Sequence, residues 1–141
     1  MAGRLDNRTP AGSLLDKRRG RSRRARPEAP GQREPREVDE RHLRAIRQCP
    51  CVLCKAPAEA AHVRFGSVFH RKRPTGLSER PSDRFSVPLC PRHHRLADDS
   101  QHAMAEATFW LEHNLDPLEV AKRLYAVSPD VEAMTRIIMT I

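Results

Sequence analysis

Cys51-Val52-Leu53-Cys54 and Val87-Pro88-Leu89-Cys90-Pro91-Arg92-His93-His94 are the two stretches that decide the fold of this chain. Thirty-five residues separate Cys54 from Cys90. Each stretch presents two metal-binding side chains with a two-residue spacer. Two such pairs can close one tetrahedral Zn²⁺ site around Cys51, Cys54, Cys90 and His93, because thiolate and imidazole suit that ion and four ligands exclude water. Cys49 is a competing thiol, but the spacer selects Cys51. The doubled histidine leaves a second imidazole, His94, beside that site and pointing elsewhere.

The rest of the chain explains why a metal would be needed. Its 141 residues allow one domain, and only 4% of them are aromatic. A core this small commonly relies on a metal or a disulfide. The N-terminus is polar, with no apolar leader, and no run is long enough to span a bilayer. The expected compartment is therefore the cytoplasm, where cysteine pairs serve as metal ligands rather than disulfides. A net charge of +8 points to a polyanionic partner, nucleic acid before others, and not to a membrane.

Outward from the cysteines, the sequence divides into three parts. Residues 1–36 read as a disordered basic arm. Lys17, Arg18 and Arg19 open a block of like charge that runs to Arg26 and would stay extended, and Pro27, Pro30 and Pro35 oppose a helix. Such an arm can lie along phosphates without reading sequence. Residues 37–127 hold the knuckle and the core. Within them a helix is expected over 38–48, a strand near 58–65, a basic loop over 66–84, a strand over 85–89 and a helix from Pro91. Ser100 is placed to cap a helix reaching His113, and Asp116-Pro117-Leu118-Glu119 has the pattern of a helix start. Residues 128–141 form a C-terminal helix begun by Ser128-Pro129, with Val131, Met134, Ile138 and Ile141 at helical spacing.

Several histidines lie around the knuckle. A hydrolytic nuclease needs a base for water, a task for which imidazole is suited by its near-neutral pKa, and a cation for the charge that develops at phosphorus. His62 ends a stretch of small residues, while His94 and His102 lie past the second pair. His42 and His113 read as surface residues and His70 as a loop histidine within reach of phosphate. Arg64, Arg71, Lys72 and Arg73 form a candidate patch for the nucleic-acid backbone, and Arg92 and Arg95 flank the histidine pair.

Taken together, Ala61-His62-Val63-Arg64, Pro81-Ser82-Asp83, the Val87–His94 stretch, His102 and Phe109-Trp110 resemble the HNH endonucleases. The resemblance covers about 51–124. It is greatest to the phage and prophage branch that includes the recombination-enhancement nucleases, which also join a zinc knuckle to a basic arm. It implies an α+β fold: a zinc-stapled ββα-metal core with additional C-terminal helices. It further implies a DNA endonuclease in which His62 is the general base. His94 and His102 would hold a catalytic Mg²⁺ or Mn²⁺, with Asp98 the alternative to His102. A recombinase or phage DNA-processing protein would be the accessory partner, in a bacterial or phage-encoded setting. The sequence departs from the family at two places. Ala61 stands where a metal ligand is common, and no asparagine occurs between Cys51 and His113. Asp83 stands closest to the missing role of orienting the base. A catalytically inactive zinc-stapled DNA-binding adaptor is the alternative reading.

Overall fold

A computed structural model of the chain describes residues 35–141. Lys17, Arg18 and Arg19 of the expected basic arm lie outside the described residues. The elements are α1 (Glu40–Ile46), β1 (Glu59–His62), β2 (Ser86–Leu89), a π-helical turn (Arg92–Leu96), α2 (Glu106–Glu112), α3 (Pro117–Val127) and α4 (Val131–Met139). The fold is α+β, with helices packed around a sheet of two strands.

The strands are antiparallel, with Glu59 opposite Leu89 and His62 opposite Ser86. Along β1, Ala61 alone is fully buried, so Glu59 and His62 keep an open side. Every residue of β2 is buried. Pro88 has no N–H to donate, which suits a strand with a single partner. Its carbonyl accepts instead from the Val52 N–H at 3.0 Å, so the cysteine knuckle covers the outer edge of β2. The knuckle closes through Cys51 N–H to Ala56 O at 2.8 Å and Lys55 N–H to Cys51 O at 3.0 Å.

Helix α1 is capped by the Asp39 carboxylate, which accepts from the His42 N–H at 2.9 Å. It is shorter than expected, and Val38 is exposed. Leu43 and Ile46, one turn apart, are fully buried. Helix α3 starts as the sequence indicates: the Asp116 carboxylate accepts from the Leu118 and Glu119 N–H groups, and Pro117 occupies the first turn. Helix α4 is capped by Asp130, not Ser128, whose hydroxyl meets His42 Nδ1 at 2.9 Å. Met134 and Ile138 of α4 join the same core as Leu124 of α3 and Leu89 of β2, so the C-terminal helix belongs to one unit with the knuckle.

The segment after Cys90 differs most from expectation. In place of a regular helix from Pro91, one π-helical turn is closed by Ala97 N–H to Arg92 O at 3.1 Å. Ser100 does not cap a helix to His113. Residues 97–105 fold back on the turn, with Gln101 N–H on His93 O at 2.9 Å and His102 N–H on His94 O at 3.1 Å. These backbone bonds to the π turn take the place of the cap, and α2 begins only at Glu106.

Candidate functional site

Cys51, Cys54, Cys90 and His93 converge, with their ligand atoms all within 4.8 Å of one another. Cys90 Sγ lies 3.2 Å and Cys51 Sγ 3.8 Å from His93 Nδ1, and Cys54 Sγ lies 3.6 Å from Cys90 Sγ. A tetrahedral zinc with bonds near 2.3 Å to sulfur separates its ligand atoms by about 3.7 Å. The donor set and its spacing therefore fit a metal ion such as Zn²⁺. Burial would raise the Cys51 thiol, but hydrogen bonds from the backbone of Cys54, Cys90 and Leu53 hold it below its ordinary value. Cys49 stands apart: its Sγ donates to Ala45 O at 3.3 Å within α1's last turn, and burial pushes its thiol up. The His113 ring packs edge-on to His93, with centroids 5.8 Å apart. His113 is exposed, as the sequence suggests.

His62 and Asp83 meet at the end of β1. The His62 Nε2–H donates to Asp83 Oδ1 at 3.0 Å. Asp83 is fully buried and also accepts from Arg36 Nη2 at 2.5 Å and from the Asp39 N–H at 2.9 Å. Burial alone would raise its pKa. The hydrogen bonds from His62, Asp39 and Arg36 outweigh burial and bring it down to about 2. For His62, burial lowers the pKa more than Asp83 raises it, and Arg80 adds to the lowering. At neutral pH the pair is thus a neutral imidazole donating to a carboxylate. That bond fixes the tautomer: Nε2 carries the proton, and Nδ1 keeps a lone pair with no hydrogen bond among the described residues. The tautomer follows from the carboxylate's need for a donor.

His94 and His102 lie side by side, ring centroids 4.4 Å apart. The π turn and the fold-back strand of backbone bonds place them together. Glu59, from the start of β1, reaches His94 Nδ1 at 2.6 Å and Arg95 Nε at 2.9 Å. Arg95 first, then His94, holds the Glu59 carboxyl below its ordinary value. Burial lowers His102, with His94 adding to the effect. Asp98, the other candidate here, is exposed. Ala61 is buried in the core and offers this site nothing.

The basic loop is more structured than its composition suggests. Lys72 does not belong to a surface patch. It is 6% exposed, and its ammonium donates to the carbonyls of Arg64, Phe65 and Arg73 at 3.1, 2.8 and 3.2 Å. Burial lowers its pKa. Arg73 forms a two-pronged pair with Glu79, and Arg64 Nη2 donates to Gly76 O at 3.1 Å. Arg64, Arg71 and Arg73 are exposed. His70 Nε2 is held by Asp116 Oδ2 at 2.8 Å. His42 is not a surface residue: it is fully buried, between Ser128 Oγ and an edge-on Tyr125 ring 4.9 Å away.

Sequence reasoning passed over four participants. Arg36 falls within the expected arm, and Glu59 within an expected strand entry. Gln101 and Glu106 fell inside an expected helix, whereas Gln101 Nε2 donates to His62 O at 3.1 Å and to Glu106 Oε1 at 2.6 Å. Glu106 also accepts from the Arg64 and Phe65 N–H groups at 2.9 and 3.1 Å. Apart from the Gln101–Glu106 bond, these contacts span 35 to 47 residues of chain, so no local pattern announces them. No protein-family model, curated protein or solved structure matches this chain. No helix among the described residues is long and apolar enough to cross a membrane.

Proposed function

We propose that this chain is a metal-dependent DNA endonuclease of the HNH type, in which Zn²⁺ at the knuckle is structural. The observation that carries the reading is the His62–Asp83 bond at 3.0 Å, on a strand paired with the one that leads into Cys90, His93 and His94. His62 Nδ1 accepts a proton from the water that attacks phosphorus in line. Asp83 holds the ring in the tautomer that leaves Nδ1 basic, and it stabilises the imidazolium that forms. The chain's charge of +8 favours approach of a polyanion.

His94 and His102, with the Glu59 carboxylate beside them, are a donor set suited to a divalent ion such as Mg²⁺ or Mn²⁺. Such an ion supplies Lewis-acid stabilisation of charge at phosphorus and the leaving oxygen. The test is nicking of supercoiled plasmid by the zinc-loaded protein, with and without Mg²⁺ or Mn²⁺. The parent is expected to nick in a metal-stimulated way, and His62→Ala to lose about 10²-fold or more. Equal nicking by the two proteins removes His62 as the base.

A second reading, a non-catalytic zinc-stapled DNA-binding adaptor, is favoured by one observation. The Ala61 methyl is buried where a further ligand would be wanted, and Glu59 already engages His94 Nδ1. Salt-sensitive DNA binding without cleavage in Mg²⁺, Mn²⁺ or Zn²⁺ would select it.

A further inference from the structure

Five residues beyond His62, the chain builds a small hairpin. Ser67 and Lys72 exchange two backbone hydrogen bonds, at 2.7 and 2.9 Å. The tip closes with Arg71 N–H on Val68 O at 3.1 Å, Arg71 taking a φ of 51°. The base of the hairpin is pinned. Lys72 ties three carbonyls there, Glu106 takes the N–H groups of Arg64 and Phe65, and Thr75 N–H reaches Arg64 O at 2.9 Å. Gly66 permits a close pass of the chain over Pro74, since a Cβ there would stand 2.7 Å from the proline ring.

This well-anchored hairpin presents apolar side chains to water. Val68 is 98% exposed and Phe69 86%. The Phe69 ring is backed edge-on by His70, which Asp116 holds. Arg71 beside it is exposed and has no partner among the described residues. Adjacent to the hairpin is a cavity of about 350 Å³, between Phe65 and His70 on one side and Trp110 and Leu111 of α2 on the other. Trp110 is 2% exposed, and its indole N–H has no hydrogen-bond partner. That N–H is itself out of reach of solvent, so what the recess offers an entering group is the surface of Phe65, His70 and Leu111.

An apolar tip on an anchored hairpin beside an arginine is the device by which proteins part stacked bases, and a recess walled by Phe65 and His70 suits the base that is displaced. We propose that Val68 and Phe69 form a wedge that enters DNA at an unpaired or weakly stacked step, the displaced base lodging in the adjoining recess between Phe65, His70 and Leu111. The protein would then prefer DNA carrying a bulge over the perfect duplex. This rests on the DNA-binding reading above and names its substrate class. An anionic bilayer could also receive an apolar, arginine-flanked tip. DNA is favoured because the hairpin follows directly on β1, which ends at His62, and because the adjoining recess between Phe65, His70 and Leu111 has room for a base.

The experiment uses the full zinc-loaded chain without added Mg²⁺ or Mn²⁺. Fluorescence anisotropy gives Kd for a labelled duplex and for the same duplex with a single-nucleotide bulge, and 2-aminopurine at the bulge reports unstacking. The parent is expected to bind the bulged form about five- to a hundredfold tighter, the range of one base–aromatic stack. Phe69→Ala should bring the two affinities within about twofold while leaving perfect-duplex binding near the parent's. Equal parental affinities, or a preference that survives Phe69→Ala, overturn the wedge but leave the DNA-binding reading standing. Failure to bind either DNA overturns both. Phe69-dependent cosedimentation with phosphatidylserine vesicles, without preference for the bulge, assigns the tip to a bilayer and overturns the wedge.

Discussion

Replacing Asp83 with alanine should unseat the whole entrance to the domain. Asp83 is fully buried, and its two oxygens receive the His62 imidazole, the Arg36 guanidinium and the Asp39 backbone N–H. Its pKa is depressed from 3.8 to about 2, so the ionised form is favoured by folding. For a depressed carboxyl, the stabilisation is complete above the unfolded value and lost as pH falls toward the folded one; at pH 7 it is fully present and worth about 2.5 kcal/mol. Alanine forfeits that term and strands the His62 and Asp39 donors, so the expected loss is about 3–5 kcal/mol. For a domain of this size, each kcal/mol lowers Tm by roughly 4 °C or more, giving a drop on the order of 15 °C. Asp83→Asn keeps acceptor capacity and should fall between parent and alanine. The assay is thermal unfolding followed by circular dichroism at pH 7 in zinc-containing buffer. A Tm for Asp83→Ala within about 3 °C of the parent would refute the reasoning, because the hydrogen bonds would then contribute no net stability.

Other outcomes can be checked in the same preparations. Because burial lowers the His62 pKa, the acid limb of the nicking rate should have its midpoint below the ordinary histidine value of 6.5, the base form being present above it. A midpoint at or above 6.5 would show that another group is the base. Removing zinc with a strong chelator should cost much of the folded structure, since structural sites of this kind contribute on the order of 10 kcal/mol; retention of the parental Tm would exclude a structural metal. Lys72→Met should destabilise by about 1–3 kcal/mol through three orphaned carbonyls, yet leave the slope of log Kd against log salt unchanged. Arg71→Ala should do the reverse, reducing that slope by about one and leaving Tm in place.

The knuckle is legible because each half-site is local: Cys51 with Cys54, and Cys90 with His93, announce themselves by spacing, and the fold brings the halves together as a cluster that could hold a metal ion. The pairing of His62 with Asp83 was reached through family likeness, and the structure places the two side chains in contact. Lys72 shows why composition misleads. A lysine in a basic loop looks like its neighbours until the chain turns three carbonyls inward around it. Ser100 is a similar case. As a helix cap it satisfied a local rule, but backbone bonds from Gln101 and His102 to the histidine pair held the segment in turns. Glu59 and Arg36 meet their partners only across tertiary contacts, and charge alone does not say which opposite charge a side chain will find.

The two four-residue strands also bear on how the chain folds. So small a sheet has little stability by itself. Its partners are far apart in sequence, so pairing Glu59 with Leu89 requires closing the long hairpin-bearing loop first, at an entropic cost. Cys51 and Cys54, by contrast, can be gathered by an ion before any strand exists. Metal captured there would then seek Cys90 and His93, drawing β2 alongside β1 and placing the Pro88 carbonyl on the Val52 N–H. On this pathway free zinc concentration governs the rate of refolding as well as its extent, and a metal-starved chain would linger with both strand edges uncovered.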